Sequence, residues 1–403
     1  MLTYIRWLAL VAAVLVGPTF LAGASAQTTG YRFTSGGSAP GVPFELSGNL
    51  IILEVRVNRS KPLQFIFDTG AEISVIDPQS ARALKLRTKG KLKLDAIGGS
   101  VQSGLISSVS LSVPGVEVFN QALATIDLDA FAPLFGFKID GIIGHDFINN
   151  FVVEIDYASG VMNLFDAQGY KYHGAGESIP IEIVDKTPFV RGRIVLNRRE
   201  PIEGKFEIDT GGTGILSLNT PFVNKHKMLE TLAKQTQSKM GGAGGSSAAV
   251  KAHVPAIELG SFAIKNPLVV FAQGTQGSES SIDYDGLLNN GFFSQFKVIL
   301  DYSRSQMLLE RNHRAVTDLS GLEIVADPPR FRTYVVNAVE ENSPAAAAGI
   351  QEEDTIIAID GQPTARLTLR ELRHLFTQPG EHLLKIKRGS KTIQVRMRLQ
   401  SDS

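Results

Sequence analysis

An internal duplication constrains this 403-residue chain more than any other feature. Phe65-Ile66-Phe67-Asp68-Thr69-Gly70-Ala71 recurs as Phe206-Glu207-Ile208-Asp209-Thr210-Gly211-Gly212. Asp140-Gly141-Ile142-Ile143, running through Phe151 to Asp156-Tyr157, recurs as Asp285-Gly286-Leu287-Leu288, running through Phe296 to Asp301-Tyr302. The two Asp-Thr-Gly aspartates stand 141 residues apart and the two Asp-Gly aspartates 145, and the step from Asp-Gly to Asp-Tyr is 16 in each copy. Landmarks that shift together mark a duplicated half-domain.

The punctuation of the chain repeats too. Leu50 to Val57 with a turn at Asn58-Arg59 reads as a hairpin arm, and so does Phe189 to Leu196 with a turn at Asn197-Arg198. Each Asp-Thr-Gly is followed by a short strand and a helix start, with Asp77 before Pro78 and Thr220 before Pro221 as expected caps. Farther on, Gly98-Gly99 and the run Gly241 to Gly245 read as hairpin tips. Both halves are mainly β. They differ where Leu287-Leu288-Asn289 replaces Ile142-Ile143-Gly144.

After Arg311 the pattern changes. Ser343-Pro344 opens a short helix closed at Gly349, and Asp354 to Gly361 reads as a strand ending in an Asp-Gly turn. Thr368 and Glu371 form a capping box for a helix carrying Leu369, Leu372, Leu375 and Phe376. His382 to Ile386 and Thr392 to Leu399 are closing strands. This is a separate α+β module.

The first 26 residues read as a cleaved signal peptide. Arg6 supplies the charge, Leu8 to Val16 the apolar stretch, and Ala24-Ser25-Ala26 the small-residue cleavage pattern. The apolar run from Trp7 to Leu21 is broken by Gly17-Pro18 and falls short of a bilayer span, so no stable membrane span is expected after cleavage. The location is then the periplasm or the exterior. The domains follow as signal 1–26, linker 27–40, first lobe 41–170, second lobe 171–314 and C-terminal module 315–403.

Several chemistries drop out. Lys+Arg and Asp+Glu both number 40, with no basic run to track a phosphate backbone, which argues against nucleic acid. There is no cysteine, hence no thiol nucleophile, thiolate metal site or disulfide. The seven histidines show no zinc spacing, and no Gly-x-Ser-x-Gly elbow occurs. His145-Asp146 reads as a loop hydrogen-bonding pair.

What remains is the pair of aspartates. A duplicated half brings Asp68 and Asp209 face to face. Two carboxylates in one site do not both ionise easily, so the pair holds one proton. The ionised member can take a proton from a bound water while the protonated one polarises a substrate carbonyl. Thr69 and Thr210 would cross-brace the two loops, and Gly70 and Gly211 would allow the tight turn.

At these residues the chain resembles the aspartic protease family. Asp-Thr-Gly-Ala at 68–71 is similar to the retroviral-type signature, Asp-Thr-Gly-Gly at 209–212 is close to it, and Ile142-Ile143-Gly144 matches the element that packs beneath the catalytic loop. The resemblance spans 41–312. It implies a mainly β, bilobal, pepsin-like acid protease fold built from retropepsin-sized halves. Gly98, Gly99, Gly241 and Gly242 would then be the flaps. Residues 343–361, with Gly321-Leu322-Glu323-Ile324 ahead of them, resemble a bacterial PDZ domain. By that resemblance Gly321, Leu322, Glu323 and Ile324 are the carboxylate-binding loop and edge strand that take peptide C-termini.

The combination is similar to exported bacterial aspartyl proteases with a C-terminal PDZ domain. It implies an aspartic endopeptidase acting on protein or peptide substrates, with no cofactor and no metal. A catalytically silent, bilobal peptide-binding protein with a PDZ interaction domain is the other reading that the residues allow.

Overall fold

The computed structural model describes residues 15–16, 30–312 and 318–400. The signal segment at 1–26 lies outside them, apart from the backbone of Leu15–Val16. Among the described residues no helix is long and apolar enough to cross a membrane. The chain divides into two compact units. One holds the described residues of the duplicated region up to Asp127 and from Asp140 to Asn312. The other joins Leu128–Ile139 to the C-terminal module.

The duplicated unit is mainly β, and its two halves use one plan. In the first, Leu50–Val57 pairs antiparallel with Leu63–Phe67 through a turn in which Asn58 and Arg59 both take positive φ. Gly141–Ile143 lies parallel to Leu63–Phe67 on its other side, with Ile143 beside Phe67. In the second half Thr187–Val195 pairs with Ile202–Asp209, and Gly286–Asn289 runs parallel to that strand. Each Asp-Thr-Gly thus leaves the end of a strand held on both flanks. Phe65, Ile66, Phe67, Phe206 and Ile208 are all but wholly buried, which explains these apolar runs.

The halves meet in a shared sheet. Val152–Asp156 pairs antiparallel with Phe296–Asp301, with Val153 opposite Leu300 and Ile155 opposite Val298. That register is self-complementary, as an approximate two-fold demands. Ser38–Ser47, Val161–Phe165, Gln306–Arg311 and Glu177–Pro180 complete it. The stretch expected as a linker at 27–40 already holds paired strand. Gly30–Phe33 lies beside Val116–Phe119, and Ser38 and Ala39 face Phe165 and Leu164.

Three local expectations are corrected. Helix Thr220–Lys225 is capped at Asn219, not Thr220, because Thr220 Oγ is turned to the Gly274 carbonyl. Asn289 needs no left-handed backbone. Its φ is −95° and that of the matching Gly144 is −114°, both extended. The difference between the halves is instead an exchange of side-chain volume. A Cβ on Gly144 would come within 2.6 Å of the Ala71 carbonyl oxygen, whereas in the second half the pair is Gly212 against Asn289. His145 and Asp146 do not bond one another either. Asp146 accepts from the Ser74 backbone and hydroxyl, and His145 stacks on Tyr302.

The smaller unit is a sheet in the order Leu322–Ala326, Tyr334–Val339, Thr355–Ile359, Gly380–Arg388, Lys391–Leu399. Helix Leu369–Leu375 carries the expected capping box, and Leu369, Leu372 and Phe376 face the core. Buried Asp354 takes two hydrogen bonds from Arg388 at 2.7 Å each. Among the described residues Leu322–Ala326 pairs with a strand on one edge only, and helix Ala132–Phe135 lies against it. Gly136, at φ 75°, follows that helix and sits between Ala326 and Leu369.

Candidate active site

Strand alternation and a four-bond brace place the two aspartates. Thr69 Oγ donates to the Ile208 carbonyl at 2.5 Å and accepts from the Thr210 amide at 3.0 Å. Thr210 Oγ donates to the Phe67 carbonyl and accepts from the Thr69 amide, both at 3.0 Å. Each threonine therefore reaches into the other half and satisfies one buried donor and one buried acceptor there.

The carboxyls sit on top of this brace. Asp68 Oδ1 accepts from the Gly70 amide and Asp209 Oδ1 from the Gly211 amide, each at 2.8 Å. The two carboxyls are near enough to shift one another's titration. Both side chains are fully buried, and among the described residues the Oδ2 atom of each has no protein partner. Burial, then the charge of Asp209, pushes Asp68 well above the usual carboxylate range. Burial pushes Asp209 up to about 7, against the lowering pull of the Gly211 amide and of Asp68. Two raised carboxyls this close titrate as a pair. Gly70 and Gly211 keep the loops close. A Cβ on Gly211 would fall 2.4 Å from Asp68 Cγ.

Two glycine-rich hairpin tips meet in the same unit. Lys91–Ala96 and Gly99–Val113 turn at Ile97-Gly98, with Gly98 at φ 85° and Gly99 at φ 143°. Thr236–Gly242 and Gly245–His253 turn at Ala243-Gly244, so Gly241 and Gly242 are the last strand residues before the tip. The tips touch. The Gly244 amide donates to the Ile97 carbonyl at 3.1 Å, and a Cβ on Gly98 would lie 2.6 Å from the Gly245 carbonyl carbon. Glu279, which nothing in the sequence pattern singled out, accepts the Gly98 amide at 3.2 Å. Beneath the tips Ile97, Phe189, Met240, Tyr284 and Leu287 form an apolar cluster.

The described geometry matches what family comparison finds. Residues 53–147 match the model of an aspartyl protease family, and residues 335–388 match that of a PDZ domain. The chain carries an aspartyl protease domain and a PDZ domain. None of the curated proteins matches it. The protease match contains Asp68, Thr69, Gly70 and Ile142 to Gly144, and Asp209 stands in the repeat of that region.

In the PDZ domain Gly321 takes φ 70°, which glycine supplies without strain, and its carbonyl accepts the Glu340 amide. The edge strand Leu322–Ala326 follows directly. Arg373 crosses from the helix to the Ile324 carbonyl at 2.8 Å.

Proposed function

We propose that the chain is an exported aspartic endopeptidase, working in the periplasm or outside the cell. It cleaves peptide bonds with a water activated by Asp68 and Asp209, and its PDZ domain takes peptide C-termini at Gly321 to Ile324. One observation carries the reading. Two buried carboxyls shift one another's titration, each is held by the amide two residues on, and among the described residues each keeps one oxygen free of protein partners.

In this mechanism ionised Asp209 removes a proton from the water as its oxygen attacks the substrate carbonyl carbon. Protonated Asp68 donates to the carbonyl oxygen, and a tetrahedral diol forms without a covalent enzyme intermediate. Collapse of the diol breaks the C–N bond as one diol hydroxyl returns its proton to Asp68, and the proton taken by Asp209 passes to the leaving amine. Thr69, Gly70, Thr210 and Gly211 hold the dyad in place. The tips at Gly98-Gly99 and Gly241 to Gly245 act as flaps, opening to admit substrate and excluding water when closed.

Asp68→Asn and Asp209→Asn should each abolish cleavage of a generic protein at mildly acid pH, and pepstatin should inhibit the parent. Substantial activity in either folded variant would reject the dyad. A parent that binds peptides without cutting them would favour the silent binder.

A further inference from the structure

The strand that ends in Asp209 carries a third buried acid. Glu207 stands where the first half has Ile66, in a segment otherwise apolar. It lies two residues from Asp209 on a strand, so both project from one face. Its neighbours across the sheet are Phe189 and Leu287, both members of the apolar cluster beneath the tips. Glu207 therefore lies on the covered side of the sheet. Its Oε1 is 2.6 Å from the point that a Cβ on Gly70 would occupy, and Asp68 Oδ1 and Asp209 Oδ1 are each 3.3 Å from that point.

The residue is fully buried, and among the described residues neither of its carboxyl oxygens has a protein partner. A buried, unpaired carboxyl is costly. We propose that Glu207 is the floor of a substrate subsite for a cationic side chain, so that the protease cuts beside lysine or arginine. The proposal rests on the proteolytic reading of Asp68 and Asp209.

Shape and chemistry both fit. Lysine and arginine carry an apolar stem and a charged head. Phe189 and Leu287, its neighbours on the flanking strands, would pack on the stem, and Glu207 would accept from the head. Burial, followed by the charges of Asp209, Asp68 and Glu72, pushes the Glu207 carboxyl well above its ordinary range. An entering cation then takes the place of its proton. A neutral apolar side chain fills the same walls but leaves the carboxyl unpaired.

The test compares peptides that differ only by lysine or norleucine beside the scissile bond, together with a peptide library, for the parent, Glu207→Ile and Glu207→Gln. Isoleucine is the residue of the first half at this place, and it removes a buried acid, so the fold should tolerate it. The parent should prefer lysine over norleucine by at least about tenfold in kcat/KM, the size of a buried ion-pair effect. Its library sites should be enriched in lysine or arginine. Both variants should bring the ratio to about one or below. A parent with no such preference, or a Glu207→Ile variant that keeps it, overturns the subsite. Should the parent cut neither peptide, the proteolytic reading falls by itself. Binding of reduced-amide, uncleavable versions of both peptides then decides the subsite by the same ratio.

Discussion

Removing one hydroxyl from the threonine brace should open the site measurably. Thr69→Val deletes the bond to the Ile208 carbonyl and the bond from the Thr210 amide, and Thr210→Val deletes the bonds to Phe67 and from Thr69. Valine keeps the shape, so the loss is almost wholly one of hydrogen bonding. Each substitution leaves one donor and one acceptor buried and unpaired, at about 1–3 kcal/mol apiece, which gives at least about 2 kcal/mol per substitution. The two threonines belong to one hydrogen-bond network, each bonding the other's backbone, so the double variant should depart from the sum by about 0.5–3 kcal/mol. Thr→Ser at either place keeps the hydroxyl and should cost only the buried methyl, about 1 kcal/mol. Native-state amide exchange at residues 69 and 210 reads the local opening energy, and denaturant titration reads the total. Valine variants that lose less than about 0.5 kcal/mol, or serine variants that lose as much as valine, would refute the brace as what holds the loops.

Asp68, Glu207 and Asp209 have raised folded-state pKa values, with Asp209 at about 7, so their contribution is complete below the ordinary carboxylate range and is lost as pH rises through the folded values. Between pH 7.5 and 8.5 His145 and His226, both lowered, are nearly all neutral in either state, and the melting temperature should fall with pH across that window; a rise would contradict the buried acids. Activity should follow a bell whose alkaline limb reports loss of the shared proton, and a rate climbing steadily into alkali would exclude the dyad. Gly98→Val places a branched side chain at φ 85° against the Gly245 backbone, so it should part the tips, raising KM and speeding amide exchange at Gly244; unchanged exchange there would show that the tips do not depend on this contact. Gly136→Val should loosen helix Ala132–Phe135 from the PDZ edge strand, because its Cβ would meet Leu369 Cβ at 3.0 Å, and it should raise PDZ affinity for added peptides; equal affinity would mean that the helix does not compete for that edge.

The sequence by itself determined the main strands and the Asp-Thr-Gly loops that the two copies share. A strand of alternating or continuous apolar residues followed by Asp-Thr-Gly, and an Asp-Gly strand that can lie beside it, are local patterns, and repetition makes them legible. The mainly β fold, the facing aspartates and the PDZ capping box were all readable on that ground. Tertiary structure decided what breaks the repeat. Glu207 replaces an isoleucine by one letter, and only packing shows its carboxyl buried beside the dyad without a partner. Glu279 is distant in sequence from the Gly98 amide it accepts. Residues 128–139 lie within the protease repeat yet belong to the compact unit of the PDZ domain, a long-range contact that no periodicity encodes. Hydrogen bonds along a strand follow from neighbouring residues, whereas the satisfaction of a buried polar atom depends on whatever the rest of the chain brings to it.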